Sequence, residues 1–159
     1  LKTHITYKIA HAAKDFEDGE KLFQEYAKSL SIDLSFQDFA SELKTIEKQY
    51  NKPRGALMLA YNEELAVGCA GIRELDNEIA ELKRMFVQQE YRGCQIGQTL
   101  LNMAIDTAIE IGYKKIRLDT LPDMTKAQNL YKEMGFYTIP AYRLNPIKET
   151  VYMEKNLCE

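Results

Sequence analysis

The chain has 159 residues, 45% hydrophobic and 28% charged, a size and balance that fit one globular domain over 1–159. Its 21 Lys and Arg against 24 Asp and Glu leave a net charge of −3, which argues against a nucleic-acid binder relying on overall positive charge. The scattered Cys69, Cys94 and Cys158, the early His4 and His11, and an apolar stretch (Leu65 to Ile72) far below the ~18 residues that cross a bilayer argue against a disulfide framework, a metal site and membrane association, so the expectation is a cytoplasmic protein.

In chain order, Thr3 to Ala10 reads as a strand, and Asp15 to Leu30 carries Phe16, Leu22, Phe23, Tyr26, Ala27 and Leu30 at helical spacing. Ser35 with Asp38 three positions on resembles a capping box. It predicts a second helix through Phe36, Phe39, Leu43 and Ile46 that Asn51, Pro53 and Gly55 stop. Three strands follow, Ala56 to Tyr61, Leu65 to Glu74 and Glu78 to Val87, separated by turn chemistry at Asn62-Glu63-Glu64 and Asp76-Asn77, and they predict an antiparallel meander. Strict alternation in the third puts Ile79, Glu81, Lys83, Met85 and Val87 on one face and Ala80, Leu82, Arg84 and Phe86 on the other.

Ile96, Leu100, Leu101, Ala104, Ala108 and Ile111 mark a third helix ended by Gly112, and Lys115 to Thr120 a short strand. A fourth helix carries Ala127, Leu130, Tyr131 and Met134 between Asp123 and Gly135, and strands at Phe136 to Ile139 and Thr150 to Asn156 complete the chain. The strand, loop, helix, strand order from Glu78 to Thr120 requires a crossover between parallel neighbours. The expected fold class is therefore α/β (α+β), a mixed, mostly antiparallel sheet of six or seven strands flanked by about four helices.

The segment from Gln89 to Gln98, with Arg92, Gly93 and Gly97, lies between a strand and an amphipathic helix. Unpaired amides and the positive end of the helix dipole make such a junction an anion site, and Arg92 adds a fixed charge with a planar donor fork. An ordinary strand-to-helix turn would use the same glycines for geometry alone. No Gly-Lys-Ser/Thr follows, and the antiparallel meander before the loop disfavours a dinucleotide fold.

In order and spacing, Glu81 to Val87, Tyr91-Arg92-Gly93-Cys94-Gln95-Ile96-Gly97, and Ala127 with Leu130-Tyr131 and Gly135-Phe136 resemble the GNAT superfamily of N-acetyltransferases. Leu118-Asp119-Thr120 and Tyr142-Arg143-Leu144-Asn145-Pro146 look like its small bacterial-type members. Two positions depart from the pattern: Gln95 stands where the loop's middle glycine is usual, and Met124 where many members place an Asn.

The resemblance implies acetyl-coenzyme A as acetyl donor, with no metal. Its diphosphate would lie on Arg92, Gly93, Cys94, Gln95, Ile96, Gly97 and Gln98, and its pantetheine beside main-chain groups of Met85 and Val87, where two strands splay apart. It implies Tyr131 as the acid for the departing thiolate and Glu81 as general base toward a primary amine on a small molecule or a protein, by direct attack in a ternary complex. Plain alternatives stand beside these roles: a core tyrosine for Tyr131, an ion pair with Lys83 for Glu81, and a small loop filler for Cys94. Phe23, Tyr26, Tyr142 and Arg143 would border the acceptor. A homodimer is compatible with the resemblance, and the competing function is a non-catalytic acyl-coenzyme A sensor or interaction module.

Overall fold

The computed structural model describes residues 4–30 and 32–158. Hydrophobic alternation gives β1 (Ile5–Ile9), β2 (Ala56–Asn62), β3 (Leu65–Asp76), β4 (Ile79–Val87), β5 (Lys115–Thr120), β6 (Tyr137–Ile139) and β7 (Val151–Asn156). They form one seven-stranded sheet in the order β1-β2-β3-β4-β5-β7-β6, antiparallel at every step except β4 beside β5. Thr3, the expected start of β1, lies outside the described residues, as does the side chain of Phe36.

Five helices cover the sheet: α1 (Ala13–Ser29), α2 (Phe39–Lys44), α3 (Ile46–Gln49), α4 (Ile96–Ile111) and α5 (Thr125–Glu133). The second expected helix is broken into pieces. Asp38 takes a left-handed conformation (φ 54), which Asp tolerates better than most residues, and it separates a 3-10 turn at Leu34–Gln37 from α2. The Ser35–Asp38 capping box does not form; the Asp33 carboxylate instead accepts from the Ser35 amide at 2.9 Å. At the next break, Thr45 Oγ1 donates to the Ser41 carbonyl at 2.8 Å, so the hydroxyl takes an acceptor at the end of α2.

The sheet separates two apolar layers. β2 is buried on both sides, with Met58 and Ala60 packed among α4 residues such as Leu100, Leu101 and Ala104, and Leu57, Leu59 and Tyr61 among α1 residues such as Phe16, Leu22 and Phe23. Each such large side chain contributes about 1.5–3 kcal/mol by leaving water.

The strict alternation expected along β4 fails at Arg84. Cys69 pairs with Phe86 and Gly71 with Lys83, so Arg84 and Met85 together oppose Ala70, and Arg84 has φ 58. This bulge reverses the pattern beyond it: Met85 and Val87 join the layer of Ala80 and Leu82, and Phe86 joins the α1 layer. Glu42 on α2 holds the bulged residue, accepting from Arg84 Nε at 2.9 Å and Nη2 at 2.8 Å while Tyr50 donates its phenol to the same carboxylate at 2.9 Å.

β4 and β5 pair only at Ile79↔Lys115, Ala80↔Ile116 and Glu81↔Arg117. Beyond Glu81 they diverge, because β5 stays on β7 as far as Thr120↔Val151 while β4 continues along β3 to Gly68↔Val87. The sheet therefore opens at its centre.

Candidate active site

The opening leads into a cleft of about 770 Å³. One wall is the end of β4 with Met85, Phe86 and Val87, the floor is the loop into α4, and the far wall is the start of α5 from Asp123 to Leu130. Arg92, Gly93, Gln95, Ile96, Gly97 and Gln98 all border it, whereas the Cys94 side chain is exposed and stands off the lining.

Local chemistry shapes this floor. Gly93 has φ 89, and Gln95, the residue before α4, has φ 62, so the chain keeps the left-handed turn a glycine would take there with a side chain in place. The first helical bond is donated by Thr99 to the Gln95 carbonyl at 3.1 Å, which leaves the amides of Ile96, Gly97 and Gln98 ahead of the helical ladder. A Cβ on Gly97 would sit 3.9 Å from Leu130 and 4.0 Å from Val87, so hydrogen at this position keeps space open between the two walls. Arg92 Nε donates to the Val87 carbonyl at 3.0 Å, tying the guanidinium to the rim of β4.

Between the diverging strands, and sharing Met85, Met124 and Ala127 with the cleft, lies a cavity of about 50 Å³ bordered also by Lys83, Leu118, Asp119 and Tyr131. Tyr131 is 6% exposed with its ring tilted against Phe136, centroids 5.7 Å apart. Burial first, then the charges of Tyr26 and Asp119, push its phenol well above the usual range, so it stays protonated at neutral pH. Lys83 is likewise buried, and burial with the neighbouring Arg84 charge lowers it to about 8. A third, smaller pocket of about 30 Å³ continues past Asp119 and Thr120 to Leu30, Ile32, Asn145 and Thr150. Tyr26 borders all three spaces.

Glu81 sits at the last rung before the strands part and is 1% exposed. Its carboxylate accepts from Arg73 Nε at 3.3 Å, from the Tyr142 phenol at 2.8 Å and from the Arg143 guanidinium. Glu81 lies at the edge of a separate surface pocket with Arg73, Arg143 and Gln49, not in the narrow cavity. Tyr142 and Arg143 thus reach the site through Glu81, while Phe23 is fully buried with its ring edge-on to Tyr50 and borders none of these spaces.

Residue spacing gave no reason to single out Asp119, Thr125 or Lys126. Their signal is tertiary, because the start of α5 comes opposite the start of α4 only once β5 has crossed between them. No helix is long and apolar enough to cross a membrane, and no group of three His, Cys, Asp or Glu side chains could hold a metal ion, among the described residues.

Residues 19–136 match the family model of the GNAT acetyltransferases. An uncharacterized N-acetyltransferase of Schizosaccharomyces pombe is 33% identical over 153 residues, covering 95% of this chain and 94% of that protein. The N-acetylaspartate synthetase of Danio rerio is 29% identical over 140 residues, 80% of this chain and 49% of its own length. Among solved structures, a GNAT-family acetyltransferase of Staphylococcus aureus superposes with a TM-score of 0.77 at 29% identity, over 96% of this chain and 99% of its own. An acetyltransferase of Salmonella typhimurium, solved with its cofactor acetyl-CoA, shares the fold with a TM-score of 0.72 at 14% identity, over 98% and 95% of the two chains.

Proposed function

Because the chain belongs to the GNAT acetyltransferase family and is an acyltransferase, we propose that it carries an acetyl group from acetyl-coenzyme A directly to a primary amine held in the same complex. The observation that carries this reading is the parting of β4 and β5 after Glu81 and Arg117, beside which the large cleft, a cavity bordered by Tyr131 and a second pocket lie next to one another with Tyr26 lining all three. Two substrates can meet there from opposite sides.

Acetyl-coenzyme A supplies a thioester, an acyl group already activated for attack. In this proposal the amides of Ile96, Gly97 and Gln98, with those of Gly93 to Gln95, bind its diphosphate, and Arg92 adds charge at the rim. The left-handed Gln95 keeps that turn without the usual glycine, and Met124, on the far wall, takes the place of a polar contact. The β4 edge at Met85 and Val87 guides pantetheine. A main-chain amide there steadies charge developing on the carbonyl oxygen, since preorganised donors act where charge appears. Tyr131 gives its phenolic proton to the departing sulfur, and the buried setting that keeps it protonated supports that role.

Glu81 is the expected base, and its place at the head of the opening supports a part in the reaction. Three donors already occupy its carboxylate, however. The geometry favours for it the ordering of Tyr142 and Arg143 beside the acceptor side over direct proton removal.

Calorimetric titration with acetyl-coenzyme A, with NADH as control, tests the donor site. Saturable, selective binding that weakens about 10-fold or more in Arg92→Ala is expected, the loss of one charged hydrogen-bonding partner being worth about 1.5–3 kcal/mol. Tyr131→Phe should retain that binding and lose about 100-fold or more in turnover. No binding to a folded sample would refute the proposal.

A further inference from the structure

The acceptor side contains a buried carboxylate oxygen, Asp119 Oδ2, that makes no hydrogen bond among the described residues. Buried polar atoms are almost always paired, so such an exception calls for an explanation. The Arg143 guanidinium forms an ion pair with Oδ2 at 3.7 Å, beyond hydrogen-bond reach, and also donates to Glu81.

The surroundings define what can approach. Asp119 borders both the narrow cavity it shares with Tyr131 and the small pocket beyond it, and it does not border the large donor cleft. With Arg84 and Thr120 it lines the narrow cavity and the small pocket and not the donor cleft, which puts it on the acceptor side. The charged and titratable groups facing it are Lys83 and Arg84 from β4, Tyr26 from α1, Tyr131 from α5, and Tyr142 and Arg143 from the loop before β7. Arg84 is already paired in both of its hydrogen bonds to Glu42. Elsewhere the pocket wall mixes the apolar Leu30, Ile32 and Leu34 with the polar Thr120, Asn145 and Thr150, and a volume of about 30 Å³ admits only a slender group.

Building on the N-acetyltransferase reading above, we propose that Asp119 binds the ammonium group of the acceptor, making this enzyme selective for a cationic primary amine on a slender, unbranched stem. An ammonium donating to Oδ2 satisfies the orphaned oxygen and brings the nitrogen into the cavity that Tyr131 borders, and it attacks as the neutral amine after one proton has passed to solvent. Leu30, Ile32 and Leu34 accommodate the methylenes behind it.

The test uses the full chain with acetyl-coenzyme A and a pool of alkylamines, diamines, polyamines, amino acids and lysine peptides, with products read by mass spectrometry. Wild type should acetylate unbranched primary amines in preference to branched ones. Asp119→Asn should raise the KM for the acceptor about 10- to 100-fold, the range expected when a charged hydrogen bond is lost. Coenzyme affinity and melting temperature should be unchanged, which shows the variant folded. Release of coenzyme A by hydroxylamine, uncharged at neutral pH, should be nearly unaffected by the substitution. Undiminished amine kinetics in Asp119→Asn would overturn the proposal while leaving the enzyme reading intact. So would an equal loss in Arg143→Gln, because the carboxylate would then serve only to hold that arginine. Failure of wild type to acetylate any amine would overturn the proposal and the acceptor reading together, with coenzyme titration reporting separately on the donor site.

Discussion

Replacing Glu42 by Ala strikes the support of the β4 bulge, and the structure sets the size of the effect. The Arg84 and Glu42 side chains are only 4% and 2% exposed, and the carboxylate takes two hydrogen bonds from the guanidinium and one from Tyr50. Burial disfavours the charged carboxylate, but the Arg84 contact outweighs it and holds Glu42 below its ordinary range. Glu42→Ala leaves a guanidinium buried without a partner, a change that costs about 3–5 kcal/mol. A domain is typically stable by about 5–15 kcal/mol, so this loss is a large share, and it should lower Tm by roughly 6–20 °C at about 2–4 °C per kcal/mol. Urea denaturation followed by circular dichroism measures it directly. The double variant Glu42→Leu with Arg84→Met should recover most of the loss, because an apolar pair needs no compensation. Because the bulge turns Met85 and Val87 toward the cleft, the milder Glu42→Gln should also weaken acetyl-coenzyme A binding in a folded protein. A cost below about 1 kcal/mol for Glu42→Ala would refute this account of the bulge.

Three further outcomes follow from local geometry. Asp15 accepts from the amides of His11 and Ala12, both at 3.1 Å, and from Lys8 at 2.9 Å; burial opposes its charge, yet these partners bring it down from 3.8 to about 2. With the folded value below the unfolded one, about 2 kcal/mol is present above pH ~4 and lost as pH falls toward 2, so the gap in urea midpoint between wild type and Asp15→Asn should close across that window. A gap independent of pH would contradict this. Gln95→Gly should raise stability by about 1 kcal/mol in thermal melts, because the left-handed backbone at φ 62 disfavours any side chain. Gly97→Ala should leave stability equal or higher by about 0.5–1 kcal/mol, since the added carbon meets only ordinary contacts and favours the helix. The same carbon intrudes between Val87 and Leu130, so calorimetry should record weaker coenzyme binding.

Much of the architecture was legible in the residue pattern. The six-residue apolar run of β2, the helical spacing of Leu100, Leu101, Ala104 and Ala108, and the turn residues around Asn62 and Asp76 are local, and local periodicity is what a linear reading detects. The loop from Arg92 to Gln98 was legible for the same reason: its glycines and arginine between a strand and a helix fall within ten residues. Three features were not. Asp38 breaks the second helix through a left-handed conformation that its residue type permits but does not require. The reversal of faces at Arg84 depends on Glu42, which lies 42 positions away. Glu81 was readable as a carboxylate on a strand, but only the tertiary structure brings Arg73, Tyr142 and Arg143 onto it and leaves Asp119 Oδ2 without a hydrogen bond among the described residues. The sequence by itself determined most of the elements, their order and the glycine- and arginine-bearing loop before α4, because each depends on neighbours along the chain. Which carboxylate is satisfied and which is left open was decided by contacts between segments far apart in sequence, and for that reason only the folded structure decides it.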